Sequence, residues 1–246
     1  MVNEGVSRIV VNAIARAEGK DPSSYSVSEI MSRMEALKAN SAKIKESNEE
    51  IEFNTKYEIA VKALNIPDRY KDASISDFPS NPMIERLVNG KDGLIMSMNG
   101  NGKTHLTWAL AKEWIKANSK TKIVNIKGVR LLSDIKSVSG DWYEYIEDKY
   151  GRVDHLVIDE IDKVNGTETD WSLLTYLIDF RYEWLRQTIV IGNFKTPADI
   201  MSIIGQSSYS RITESGNAII KMDGLGDHRR KETGTSPVSF LHDNPV

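Results

Sequence analysis

The sequence predicts an α/β fold, a parallel sheet covered by helices, with a small helical region in front of it. Three observations predict this. Downstream of residue 90, short apolar runs alternate with helical patterns. A glycine-rich turn separates the first of those runs from the helix that follows. Upstream of residue 66 the apolar residues recur at helical spacing, with no strand pattern.

Val6, Ile9, Val10, Ala13 and Ile14 form one apolar stripe on a short helix that the turn at Gly19 to Ser24 ends. Ser26 with Glu29 makes a capping box for a second helix. In it Ile30, Leu37, Ile44 and Ile51 stand at intervals of seven, beside a mostly polar seam of Met34, Ser41 and Asn48. Two readings are open: an amphipathic helix folded back on its own domain, or a partner-docking or self-associating helix. Residues 66–79, broken by Pro67 and Pro79, read as an extended linker. That sets a boundary between a helical partner-docking region, 1–65, and a second module, 66–246.

In the second module, Asn81 as N-cap and Pro82 at the first helical position open a short helix that Asn89 and Gly90 close. Strands are expected at 93–98, 121–126, 155–159 and 188–192. Helices are expected at 103–118, as a pair split near Gly140 over 130–150, at 170–186, and at 196–204 behind a Thr196 and Pro197 cap.

The composition narrows the function classes. The 246 residues hold 32 Lys plus Arg against 35 Asp plus Glu, a net charge of −3. Binding polyanions over the whole surface is disfavoured, and nucleic acid is left a local patch or a channel shared by several subunits. The absence of cysteine excludes disulfide scaffolds, thiolate zinc sites and cysteine nucleophiles. Neither a signal peptide nor a membrane span is legible, and the chain reads as soluble and cytoplasmic.

Ser97, Met98, Asn99, Gly100, Asn101, Gly102, Lys103 and Thr104, continuing into His105, follow a strand and open a helix, the arrangement of a phosphate-binding loop. Small residues let successive backbone N–H groups wrap phosphates at the positive end of a helix. Lys103 then reaches the β and γ phosphates and Thr104 holds Mg²⁺. Ser97 replaces the first glycine of the pattern, and a different backbone angle is expected there. Leu156 to Glu160 is a buried strand ending in two carboxylates, Asp159 to hold a Mg²⁺-bound water and Glu160 to orient and deprotonate the attacking water. Asp162 and Lys163 read as a salt-bridged turn. Asn193 ends the next strand, where a neutral amide can hydrogen-bond the γ-phosphate. Arg211 is the candidate cation for the phosphates of a neighbouring subunit.

In this order the phosphate loop, Asp159 with Glu160, Asn193 and Arg211 resemble an AAA+ ATPase, and more narrowly the DnaC and IstB-like helicase loaders. The most family-like stretches are 100–106, 156–161, 179–182 and 211–216. The resemblance implies that Lys103 and Thr104 are the Walker A pair, Asp159 and Glu160 Walker B, Asn193 sensor 1 and Arg211 the arginine finger. Arg229 or Arg230 matches a late basic residue near the nucleotide, and Arg181 is open between an intersubunit cation and a structural role. It also implies ATP and Mg²⁺ as ligands, a ring or spiral of subunits, and a hexameric replicative helicase gripped through the N-terminal region and placed on single-stranded DNA; independently, the short tail after Arg211 is expected to leave no room for a C-terminal lid. The alternatives are an IstB-like transposition helper ATPase and a nucleotide-binding adaptor without hydrolysis. Weak DNA contacts fall to Lys127, Arg130 and Lys136. Trp142, Tyr143 and Tyr145, interleaved with acidic residues, read as packing.

Overall fold

The computed structural model describes residues 8–19, 21–24, 26–97 and 100–222. Two compact units divide the chain, Met1–Glu58 and Ile59–Val246. The first holds α1 (Arg8–Glu18) and most of α2 (Val27–Ala63). The expected capping box is formed: the Ser26 N–H donates to Glu29 Oε2 at 2.8 Å, and the Glu29 N–H to Ser26 Oγ at 3.3 Å. Ile30 is buried, but Leu37, Ile44 and Ile51 are exposed. The seven-residue seam is open to solvent from Leu37 onward.

The second unit is built on one parallel sheet of β1 (Gly93–Met96), β2 (Ile123–Lys127), β3 (His155–Asp159), β4 (Gln187–Gly192) and β5 (Ala218–Lys221), in the order β2-β3-β4-β1-β5. Around it lie α3 (Pro82–Val88), α4 (Lys103–Ala117), α5 (Gly128–Lys136), α6 (Trp142–Ile146) running into a π turn, α7 (Glu168–Glu183) and α8 (Pro197–Ile212). Asn81 caps α3 as expected, its Oδ1 accepting from the Met83 N–H at 2.6 Å. The helix expected to stop at Ile204 does break at Gly205, then resumes to Ile212. No helix follows β5 among the described residues, and none of their helices is long and apolar enough to cross a membrane.

The inner strands β1, β3 and β4 are buried on both faces, so their apolar residues alternate between two cores. Leu94 and Met96, Leu156 and Ile158, and Val190 face one core with α5, α7 and α8. Ile95, Val157, Ile189 and Ile191 face the other with α3 and α4. Residues 66–79 are not the extended linker that the two prolines suggest. Two 3₁₀ turns, Asp68–Tyr70 and Ile75–Asp77, fold this strap, with Ile66 and Ala73 buried in the second core and Tyr70, Ile75 and Phe78 packed on it.

Arg181 is fully buried, which settles its open role as structural. Its guanidinium donates to the carbonyls of Tyr150, Gly151 and Val153 at 2.7, 3.0 and 2.9 Å, and to Gln187 O and Thr188 Oγ1. It ties the end of the π turn to the start of β4, satisfying carbonyls that no strand or helix pairs.

Candidate functional site

β1, β3 and β4 run parallel in aligned register, Met96 beside Gly192, so their C-terminal ends deliver three loops to one edge. The loop after β1 turns into α4 through Gly100 (φ 90°) and Gly102 (φ 82°), left-handed angles that a side chain would strain. Gly102 is the N-cap residue, which aims the positive end of α4 into the loop. Ser97 does not take a left-handed angle. It is buried, and its hydroxyl donates to Met222 O at 2.7 Å, while Asn101 Nδ2 donates to the same carbonyl at 2.7 Å. That bond accounts for a hydroxyl where the pattern has glycine.

Residues of three separately predicted motifs meet here: Lys103 with Thr104, Asp159, and Asn193. Lys103 Nζ donates to Ser97 O and to Asn193 Oδ1, both at 2.8 Å. Thr104 Oγ1 donates to Asp159 Oδ2 at 2.7 Å. Burial pushes the Asp159 carboxyl above its ordinary range, against the Thr104 hydrogen bond and the Lys103 charge. Asn193 is fixed by Asp162, which accepts its backbone N–H at 3.0 Å and its Nδ2 at 2.8 Å. Asp162 thus positions the amide, a role that its reading as part of a salt-bridged turn missed.

Glu160 follows β3 in a left-handed conformation (φ 53°) that is uncommon for a residue with a long side chain. Its carboxylate is gripped by Lys163 at 2.7 Å and Lys127 at 3.0 Å. Partial burial opposes ionisation, but the two lysines outweigh it and hold the carboxyl below its usual range. Lys127, expected at DNA phosphates, is therefore engaged at the site. Lys136 likewise pairs with Asp170 at 2.9 Å, and all three basic candidates, Lys127, Arg130 and Lys136, are exposed. Trp142 and Tyr145 pack on the core, as their acidic surroundings suggest, but Tyr143, expected to pack with them, is 47% exposed and rests its ring edge-on against Tyr176.

His105 Nε2 lies 2.7 Å from Asp77 Oδ2, its ring 5.9 Å from Phe78 and 6.3 Å from Tyr70 between centroids. The strap thereby becomes one wall of a cavity of about 630 Å³, lined also by Gly100 to Thr104, Asp159, Glu160 and Asn193. Arg211 lies elsewhere, paired with Asp179 and Ser207 and 5.5 Å from the Tyr182 ring. Asn99, Arg229 and Arg230 fall outside the described residues.

Residues 87–214, just over half of the chain, match the family model described as the bacterial DnaA ATPase domain. Among solved structures, the DnaC helicase loader is 22% identical with a TM-score of 0.53, over 63% of this chain and 99% of that one. AMPPCP-bound DnaA from Aquifex aeolicus is 17% identical with a TM-score of 0.51, over 65% of this chain and 52% of that one. A replication initiator DnaA bound to AMPPCP and single-stranded DNA is 16% identical with a TM-score of 0.50, over 62% and 50%. These likenesses are likenesses of fold, and they agree with the AAA+ and DnaC-like pattern of the motifs. The chain belongs to the bacterial DnaA ATPase-domain family of AAA+ ATPases.

Proposed function

We propose that this chain is an ATP-hydrolysing helicase loader of DNA replication. It binds ATP and Mg²⁺ in the cavity at the ends of β1, β3 and β4 and assembles with its own copies into a ring or spiral. It engages a hexameric replicative helicase through residues 1–65 to place it on single-stranded DNA, which it touches weakly itself. The observation that carries this reading is the meeting of Lys103, Thr104, Asp159 and Asn193 through two hydrogen bonds in one cavity. The DnaC helicase loader and the AMPPCP-bound and DNA-bound DnaA structures, whose fold the chain shares, support it.

The loop N–H groups between Gly100 and Thr104 bind the phosphates, and Lys103 exchanges Asn193 for the γ-phosphate. Thr104 and Asp159 offer the hard oxygen donors that Mg²⁺ takes when substrate phosphates and water complete its shell. Bound there, the ion neutralises phosphate charge. Asn193 orients the attacking water, and Glu160 accepts its proton once the two lysines release the carboxylate. Tyr70 and Phe78 present apolar surface for a base.

Full-length protein with ATP and Mg²⁺ is expected to turn over, Glu160→Gln to bind without turnover, and tagged full-length protein to capture a hexameric replicative helicase. Filament formation on duplex DNA with no helicase captured would overturn the loader in favour of a transposition helper. Binding without turnover in the unmodified chain would make it an adaptor.

A further inference from the structure

We infer that α2 pairs in solution with α2 of a second copy of this chain, antiparallel and centred on Ile44. Every residue from 35 to 56 is exposed, an unsupported stretch of helix in a fold where helices draw most of their stability from packing one face. Leu37, Ile44 and Ile51 are 58%, 55% and 61% exposed on one seam. The seam is symmetric, with one apolar residue seven positions to either side of Ile44. Reversal therefore sets Leu37 against the second copy's Ile51 and Ile44 against its own counterpart.

The charges choose the direction. Before Ile44, residues 34–43 carry Lys38 and Lys43 against Glu35 alone, Arg33 being paired with Glu18 of its own chain. After it, residues 45–55 carry Glu46, Glu49, Glu50 and Glu52 against Lys45 alone. Antiparallel pairing lays the basic half on the acidic half, whereas parallel pairing lays like on like. Ser41 and Asn48 beside the seam keep the pairing modest and fix its register. The pairing needs neither nucleotide nor helicase, so it stands or falls separately from the function proposed above.

Sedimentation of the nucleotide-free full-length chain is expected to give a reversible monomer–dimer equilibrium. Ile44→Glu, at an exposed position, weakens it by more than about tenfold with helix content unchanged by circular dichroism. Because the chain has no cysteine, engineered thiols report alone. Asn40→Cys and Asn48→Cys, placed symmetrically about Ile44, cross-link when mixed and not when either is alone. A chain that stays monomeric at its highest soluble concentration, a dimer indifferent to Ile44→Glu, or cross-linking of Asn40→Cys with itself overturns the proposal.

Discussion

Thr104 donates its hydroxyl to Asp159 Oδ2 at 2.7 Å, tying the first turn of α4 to the end of β3 across fifty-five residues of sequence. The pair is held ready by a buried carboxylate whose charge is already costly. Thr104→Val keeps the shape and removes the oxygen. It is expected to lower the affinity for ATP in Mg²⁺ by about 10- to 100-fold, with little change in EDTA. Calorimetric titration in both buffers checks this, and equal losses in the two would remove Thr104 from the ion.

Lys127 and Lys163 hold Glu160 ionised but occupied. A general base works best when its proton affinity suits the reaction and its lone pair is free. Lys127→Met is therefore expected to raise steady-state ATP turnover by roughly 3- to 10-fold at saturating ATP. A fall in kcat at unchanged KM would mean that Lys127 acts on the reaction itself.

Arg211 is paired within its own subunit to Asp179 and lies away from the cavity. A trans role makes Lys103→Ala and Arg211→Ala each inactive, while an equal mixture regains activity at the roughly one quarter of interfaces that keep both groups. Assembly without any recovery would confine Arg211 to its own chain.

Arg181 is predicted to be irreplaceable for stability. Arg181→Met leaves several buried carbonyls without a donor and should cost about 3–5 kcal/mol, a fall in Tm of roughly 10 °C. Denaturant unfolding measures the loss, and a change under 1 kcal/mol, at the level of an ordinary surface substitution, would show that water replaces the guanidinium.

Asp92 gives the second unit an uncommon pH dependence. Burial raises its carboxyl from 3.8 to about 6, against the Thr188 N–H and the Arg181 charge. Between those values the folded chain holds a proton that the unfolded chain has lost, so stability falls as pH rises through the window. Summed over it, the cost is at most about 3 kcal/mol. Asp92→Asn keeps an oxygen for the Thr188 N–H and should be more stable than the unmodified chain at pH 8, the gap closing by pH 4. Parallel urea titrations at the two pH values test the sign.

The parts legible in the sequence were those whose cause is local. The buried run at 155–159 coincides with β3, and Asn81 with Pro82 placed the start of α3. β5 went unread because Ala218–Lys221 is only four residues long, has no alternation of apolar and polar residues, and owes its extension to β1, far away in sequence. The strap at 66–79 was misread because proline marks a break in local pattern and cannot report that Ile66 and Ala73 find a core. The types of Lys103, Thr104, Asp159, Glu160 and Asn193 suggested the chemistry proposed for them. Their second partners, Asp162, Lys127 and Lys163, look like ordinary turn charges until the sheet brings them together.

Ser97 and Asn101 hang on one oxygen atom, the carbonyl of Met222 where the chain leaves β5. The loop between β1 and α4 therefore has a tether outside its own segment. A shift of that carbonyl is felt by both residues at once, and a change in the shape of the loop is felt in return at the end of β5.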